Sequence, residues 1–200
     1  MFVSGQTFTS DNRNSLKATY GYFIPLTSNY KNPLETTFKN EFNSSKQYVG
    51  ISLEHPRGYG KRNLCGEYGI NYFINQTKNL GDTLKLNWFA NNFYLIFKYD
   101  LFPKNKYVDL FACVGGLVGS QRIIVDNKST QVYRNFNACV VPQLELRIQT
   151  IKRISFGFEA SFLYDLTSPK WKNRSNTYLL DNSKFTGTTA NFFVGWCWGK

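Results

Sequence analysis

The stretch Thr189–Trp198, TANFFVGWCW, is apolar at every second position. One side reads Ala190, Phe192, Val194, Trp196 and Trp198; the other reads Thr189, Asn191, Phe193, Gly195 and Cys197. Successive side chains of a strand point to opposite faces, so a period of two means a strand with one fatty face and one mixed face. The same period recurs back along the chain. Strands are expected at Ser15–Leu26, Gln47–His55, Leu64–Ile74, Leu84–Phe102, Tyr107–Ser120, Arg134–Gln149, Ile154–Asp165 and Thr189–Trp198.

Eight alternating segments without intervening helices point to an all-β fold, an eight-stranded antiparallel up-and-down transmembrane β-barrel with a polar, side-chain-filled interior. No run reaches the roughly 18 apolar residues of a membrane helix. The negative mean hydropathy is no obstacle, because only alternate residues of a barrel face lipid. At 200 residues the chain fits one domain: residues 15–200 as the barrel, with 1–14 as an N-terminal segment. MFVSGQTFTS reads either as the tail of a signal peptide cleaved near Gly5 or Gln6, or as a start methionine added to a mature chain.

The apolar faces place Phe136, Leu144, Phe156, Phe158, Phe162, Phe192, Trp196 and Trp198 toward lipid. In the fourth segment Leu84, Leu86 and Trp88 are even, whereas Phe93, Leu95, Phe97, Tyr99 and Leu101 are odd. A bulge near Ala90–Asn92 would absorb that slip. Pro142 cannot donate to the ladder, so a second local bulge is expected there. The glycines of VGGLVG, Val114–Gly119, read as room for bending or for bulky inward neighbours, since no Lys-Ser/Thr or helix follows to make a phosphate loop.

The connections alternate in length. Thr27–Lys46, Asn75–Thr83, Gln121–Tyr133 and Leu166–Thr188 are long, and Pro56–Asn63, Pro103–Lys106 and Thr150–Arg153 are short. Outer-membrane barrels sort their loops in this way, with short turns on the periplasmic side. The short turns carry Arg57, Lys61, Arg62, Lys104, Lys106, Lys152 and Arg153 and no acid. They are expected to meet anionic headgroups or, second, an acidic periplasmic partner. The net charge of +11 is thereby assigned to loops and turns, and no nucleic acid partner is expected. The run Lys170–Arg174, KWKNR, reads first as solvated and second as a contact for lipopolysaccharide phosphate or a partner.

The inward faces hold Lys17, Glu54, Glu67, Asp109, Glu145, Arg147, Glu159 and Asp165, joined by Lys98 and Asp100 across the expected bulge. The bore of an eight-stranded barrel is filled by its own side chains, and charges there must pair. Glu67, Glu145 and Glu159 are therefore expected to meet Lys17, Lys98 or Arg147 and to close the bore. A closed bore leaves no cleft for a glycosidase built on Glu145 and Glu159. His55, the one histidine, falls at the short-turn rim, opposite the outer rim where a Ser–His–carboxylate set would work. No enzyme activity, metal or cofactor is expected. Cys65, Cys113, Cys139 and Cys197 fit no metal pattern and read as inward fillers, with a Cys113–Cys139 disulfide left to the register.

YDLFPKNKYVDLFACVGGLVG, Tyr99–Gly119, together with the closing FFVGWCW, resembles the hairpins of small outer-membrane β-barrel proteins of the Bacteroidota, the outer membrane protein beta-barrel domain or porin-like family. The resemblance is one of pattern over nearly all of the chain after residue 14. The ending Trp198-Gly199-Lys200 departs from the terminal aromatic of proteobacterial barrels. The resemblance implies an integral outer-membrane location, with phospholipid, lipopolysaccharide and other envelope proteins as partners. Its members include subunits of secretion and assembly machines and adhesion-like barrels. The leading expectation is a non-enzymatic structural or accessory subunit of an envelope complex. The alternatives are a narrow ion channel, and a soluble calycin-like carrier with Phe136, Phe156 and Phe158 facing in.

Overall fold

In the computed structural model the chain is described over residues 14–26, 45–56, 64–80, 84–102, 107–126, 130–149, 153–167 and 184–198. Eight strands form one closed barrel in sequence order: β1 (Asn14–Pro25), β2 (Lys46–Pro56), β3 (Leu64–Leu80), β4 (Leu84–Asp100), β5 (Val108–Asp126), β6 (Thr130–Gln149), β7 (Ile154–Asp165) and β8 (Gly187–Trp198). Every strand runs antiparallel to its neighbours. β8 closes onto β1, with Leu16 opposite Trp196 and Tyr20 opposite Phe192. The fold is the all-β, up-and-down eight-stranded barrel that the alternation implied. Closure pairs every strand on both sides over the shared part of the barrel; β3 beyond Phe73 and β6 before Cys139 run past their shorter neighbours β2 and β7.

The polarity is that of a barrel turned inside out relative to a soluble one. Phe93, Leu95, Phe97, Phe136, Leu144, Phe158, Phe192, Val194 and Trp196 lie exposed on the outer wall, whereas lysines, glutamates and asparagines are buried within. Phe156 and Phe162 share the outer face of β7 but are half-covered by their neighbours. Phe136 and Phe158 point outward, so the interior that a calycin-like carrier requires is absent.

The structure departs from the sequence reading in three places. First, the fourth strand has no phase slip. Trp88, Ala90, Asn92, Tyr94, Ile96, Lys98 and Asp100 all face inward in unbroken alternation, and Trp88 is only 3% exposed. The irregularity lies in the partner strand, between Phe73 and Gln76 of β3. Trp88 is apolar because it belongs to an interior cluster, not to the lipid face.

Second, β3, β4, β5 and β6 outrun the apolar pattern. They have 17, 17, 19 and 20 residues, against 12, 11, 12 and 12 in β1, β2, β7 and β8. Asn75–Thr83 and Gln121–Tyr133 are mostly hairpin rather than loop. Backbone pairing sustains them, as Asn79 opposite Lys85 and Val125 opposite Gln131 illustrate, and backbone pairing needs no fatty face. The regular long–short alternation of loops therefore fails at the third and fifth connections.

Third, Pro142 causes no bulge. It stays in register opposite Val114. Toward β7, pairing is interrupted between Val140–Tyr164 and Gln143–Ser161 and resumes unshifted. The register, on which a Cys113–Cys139 bridge depends, sets Cys113 opposite Gln143 and Leu117 opposite Cys139 and so leaves those two thiols out of bridging reach. All four cysteines are free.

Candidate functional site

The interior is layered along the barrel axis. The layer nearer the chain termini is ionic. Lys17 on β1 points its Nζ at Glu67 Oε2 (3.0 Å), at Glu145 Oε2 (3.1 Å) and at Glu159. Lys98 on β4 donates to Glu54 Oε2 (2.8 Å) and also meets Glu67 and Glu145. Arg147 on β6 forks between two acids, Nη1 donating to Glu54 Oε1 (2.8 Å) and Nε to Glu145 Oε1 (2.9 Å). All seven residues are buried. Glu145 and Glu159 are cross-strand partners. Both lean on Lys17, which keeps two adjacent carboxylates from being left unpaired in a low-dielectric space.

Neutral donors and rings complete the layer. Glu67 Oε1 accepts from Ser52 Oγ (2.7 Å) and Tyr94 OH (3.0 Å), and Glu159 Oε2 accepts from Asn191 Nδ2 (3.3 Å). Lys17 Nζ sits 4.0 Å from the centre of the Phe193 ring, and the Arg147 guanidinium 4.8 Å from that of Phe111. Charge does not mark these partners in the sequence; inward parity within each strand does. Gly157 makes the close packing feasible, since a Cβ there would run into the backbone carbonyl oxygen of Leu146 and meet Phe193 Cζ at 2.8 Å. Asp109 stands apart from this layer and accepts from Gln149 Nε2 (2.5 Å).

The carboxylate oxygens of Glu54, Glu67 and Glu145 lie within 4.8 Å of one another. Lys98 Nζ touches all three, so the cation of this cluster is a lysine ammonium, which a metal ion would have to displace. His55 Nδ1 is bonded to Asn14 Oδ1, a partner with no nucleophile.

Above the ionic layer is a cavity of about 30 Å³, walled by Thr19, Tyr48, Asn71, Tyr94, Gln143 and Asn191 among others. It has room for about two water molecules. Thr19 Oγ1 and Gln143 Nε2, buried and without a partner among the described residues, are in its wall.

The layer beyond the cavity is mainly aromatic, with Lys46 buried among the rings, its Nζ 5.5 Å from the centre of the Trp88 ring. Phe23 stacks on Phe185 (ring centres 4.5 Å apart), and Phe73 packs on Tyr48 (5.0 Å), Trp88 (5.4 Å) and Phe185 (5.4 Å). Phe185 comes from the seventh connection, not from a strand. Asp165 holds it there: Oδ2 accepts from Phe185 N (2.8 Å), and Oδ1 from Thr167 N (2.9 Å) and Thr167 Oγ1 (2.6 Å). Nothing periodic marks Phe185 in the sequence.

Of the basic turn residues, Arg153 is described. It has a φ of 76° in its turn, and its carbonyl accepts from Cys197 N (2.8 Å). Arg57, Lys61, Arg62, Lys104, Lys106 and Lys152 lie outside the described residues, as does the Lys170–Arg174 run.

No protein-family model matches the chain, and no curated protein matches it. Solved structures do. The crystal structure of Ail, the attachment invasion locus protein of Yersinia pestis, is similar at a TM-score of 0.55 with 10% identity, over 94% of this chain and 99% of that one. Its complex with the heparin analogue sucrose octasulfate gives 0.58 at 8% identity, over 94% and 99%. A major outer membrane protein from Thermus thermophilus also gives 0.58 at 8% identity, over 93% and 98%. This chain has the fold of eight-stranded outer-membrane β-barrels.

Proposed function

We propose that the chain is an integral outer-membrane barrel without enzymatic activity, serving as a structural or accessory subunit of a larger cell-envelope complex. The observation behind this is a bore stopped twice inside an apolar outer wall. A barrel that is closed by ion pairs at one level and by aromatic rings at another works through its surfaces. The end with the chain termini, opposite the two long connections, the first and seventh, is read as periplasmic, and the outer wall as the contact with phospholipid and lipopolysaccharide. The Yersinia pestis protein of this fold is named for attachment and invasion and was crystallised with a heparin analogue, a precedent for surface partners.

The test is extraction of the native membrane in mild detergent, followed by size analysis and identification of what co-purifies. A stoichiometric complex of envelope proteins is the expected result. A lone monomer under every extraction condition would sink the subunit reading and leave a free-standing barrel.

A further inference from the structure

We propose that Arg122 on β5 and Arg134 on β6 together hold the phosphate of an outer-leaflet glycolipid headgroup. The inference rests on the outer-membrane reading above and assigns a specific site within it.

The two arginines are register partners on the outward face, and both are exposed. No described carboxylate pairs with either guanidinium. Directly opposed side chains in an antiparallel pair are about 5 Å apart at Cβ, and like charges there oppose each other. The same wall balances its charge elsewhere: further along β4 and β5, on the same outward face, Lys85 is opposite Asp126. At Arg122 and Arg134 the protein tolerates a repulsion that an anion between them would turn into an attraction.

The setting indicates what carries that anion. Phe136, one outward position down β6, is among the most exposed rings of the apolar belt. The arginines stand about 7 Å beyond it along the strand. Phe89 lies across from Arg122 on β4, and Ile124 faces Val132 on the rung above. Two guanidinium groups thus sit in an apolar and aromatic margin at the end of the barrel remote from the termini. This is where lipid headgroups meet acyl chains. Arginine presents a planar fork of donors that matches phosphate oxygens, and two such forks can grip one phosphate from both sides. A convex wall offers no pocket to a free ion. A lipid-borne phosphate is delivered there by its own acyl chains.

The folded barrel in detergent is titrated with diphosphoryl lipid A by native mass spectrometry. Inorganic phosphate and a lipid with an uncharged headgroup serve as comparison probes. Arg122→Gln and Arg134→Gln are each expected to weaken lipid A binding about fivefold, and the pair about 30-fold. Inorganic phosphate should not compete at equal concentration. Unchanged affinity in the double variant overturns the site, as does displacement of lipid A by inorganic phosphate. Both side chains point away from the core, and the single variants serve should the double variant fail to fold. A wild-type chain that does not insert into bilayers fails the membrane reading itself; one that inserts and binds lipid A equally with and without the arginines fails this site alone.

Discussion

Lys98 is the residue on which the ionic layer turns. Its ammonium touches Glu54, Glu67 and Glu145, whose oxygens otherwise crowd within 4.8 Å. Three cations face four carboxylates in this layer, so no spare positive charge exists to cover a loss. Removing one member of a buried charge pair typically costs more than the pair contributes, because it strands the partner. Lys98→Met is therefore expected to lower barrel stability by about 3–5 kcal/mol, read by denaturant unfolding in detergent or lipid. Adding Glu67→Gln to Lys98→Met should recover part of that loss; if the second change deepened it instead, charge imbalance would not be the cause. Gly157 tests packing against the same layer. A methyl group there would run into the Leu146 backbone carbonyl and press on Phe193, the ring beneath Lys17, so Gly157→Ala should cost about 1–3 kcal/mol. A neutral result in the same unfolding assay would show that both the β6 backbone at Leu146 and the Phe193 ring can yield.

At the scale of the element, alternation carries the information, and its limits are visible in particular strands. β1, β7 and β8 were legible almost to the residue because inside and outside differ in chemistry along their length. Lys17, Glu159 and Asn191 alternate there with Ala18, Phe158 and Phe192. β4 was misread at its outer end because the inward face turns apolar where Trp88 joins the aromatic layer, while the outward face carries Lys85, Asn87 and Asn91. Hydrophobicity alone cannot tell a core position from a lipid-facing one. The extensions of β3 to β6 were missed because a ladder of backbone bonds needs no alternation. Phe185 had no period to reveal it. The inside–outside assignment itself is testable on β7. Phe158 is 58% exposed and packs edge-on against its cross-strand partner Phe192, ring centres 5.5 Å apart. Phe158→Lys should cost about 2–4 kcal/mol by placing charge at the lipid face. Ser161→Lys, whose side chain borders the cavity, should instead disturb packing and the Ser161–Thr189 hydrogen bond (2.6 Å) without bringing charge into lipid. Equal stability of wild type and Phe158→Lys in a bilayer unfolding assay would reverse the assignment.

At the scale of the whole molecule, the two internal layers act in series. An ion crossing the barrel would have to pass the aromatic ring cluster, then the small cavity, then the mutually bonded lysines, arginine and glutamates. Each layer alone is expected to stop it: the first packs rings around the buried Lys46, whose ammonium lies 5.5 Å from the centre of the Trp88 ring, and the second has its charges already committed to one another. Wild-type protein in a planar bilayer should therefore show no conductance above background. Phe185→Ala tests the series arrangement more sharply than the wild type does. It removes a ring contributed by the seventh connection, the one ring of the outer layer not built into a strand among the described residues, and so is expected to open a route from that side down to the cavity. The ionic layer below is untouched, because Phe185 contacts none of its members among the described residues. Phe185→Ala should remain electrically silent, even though deleting a buried aromatic costs about 3–5 kcal/mol of stability. Combining it with Lys17→Ala, which frees Glu145 and Glu159 from their shared ammonium, should be the first change to admit small cations. Steady conductance in Phe185→Ala alone would mean that the ionic layer leaks, and would move the reading from a sealed surface protein to a channel gated at its outer end.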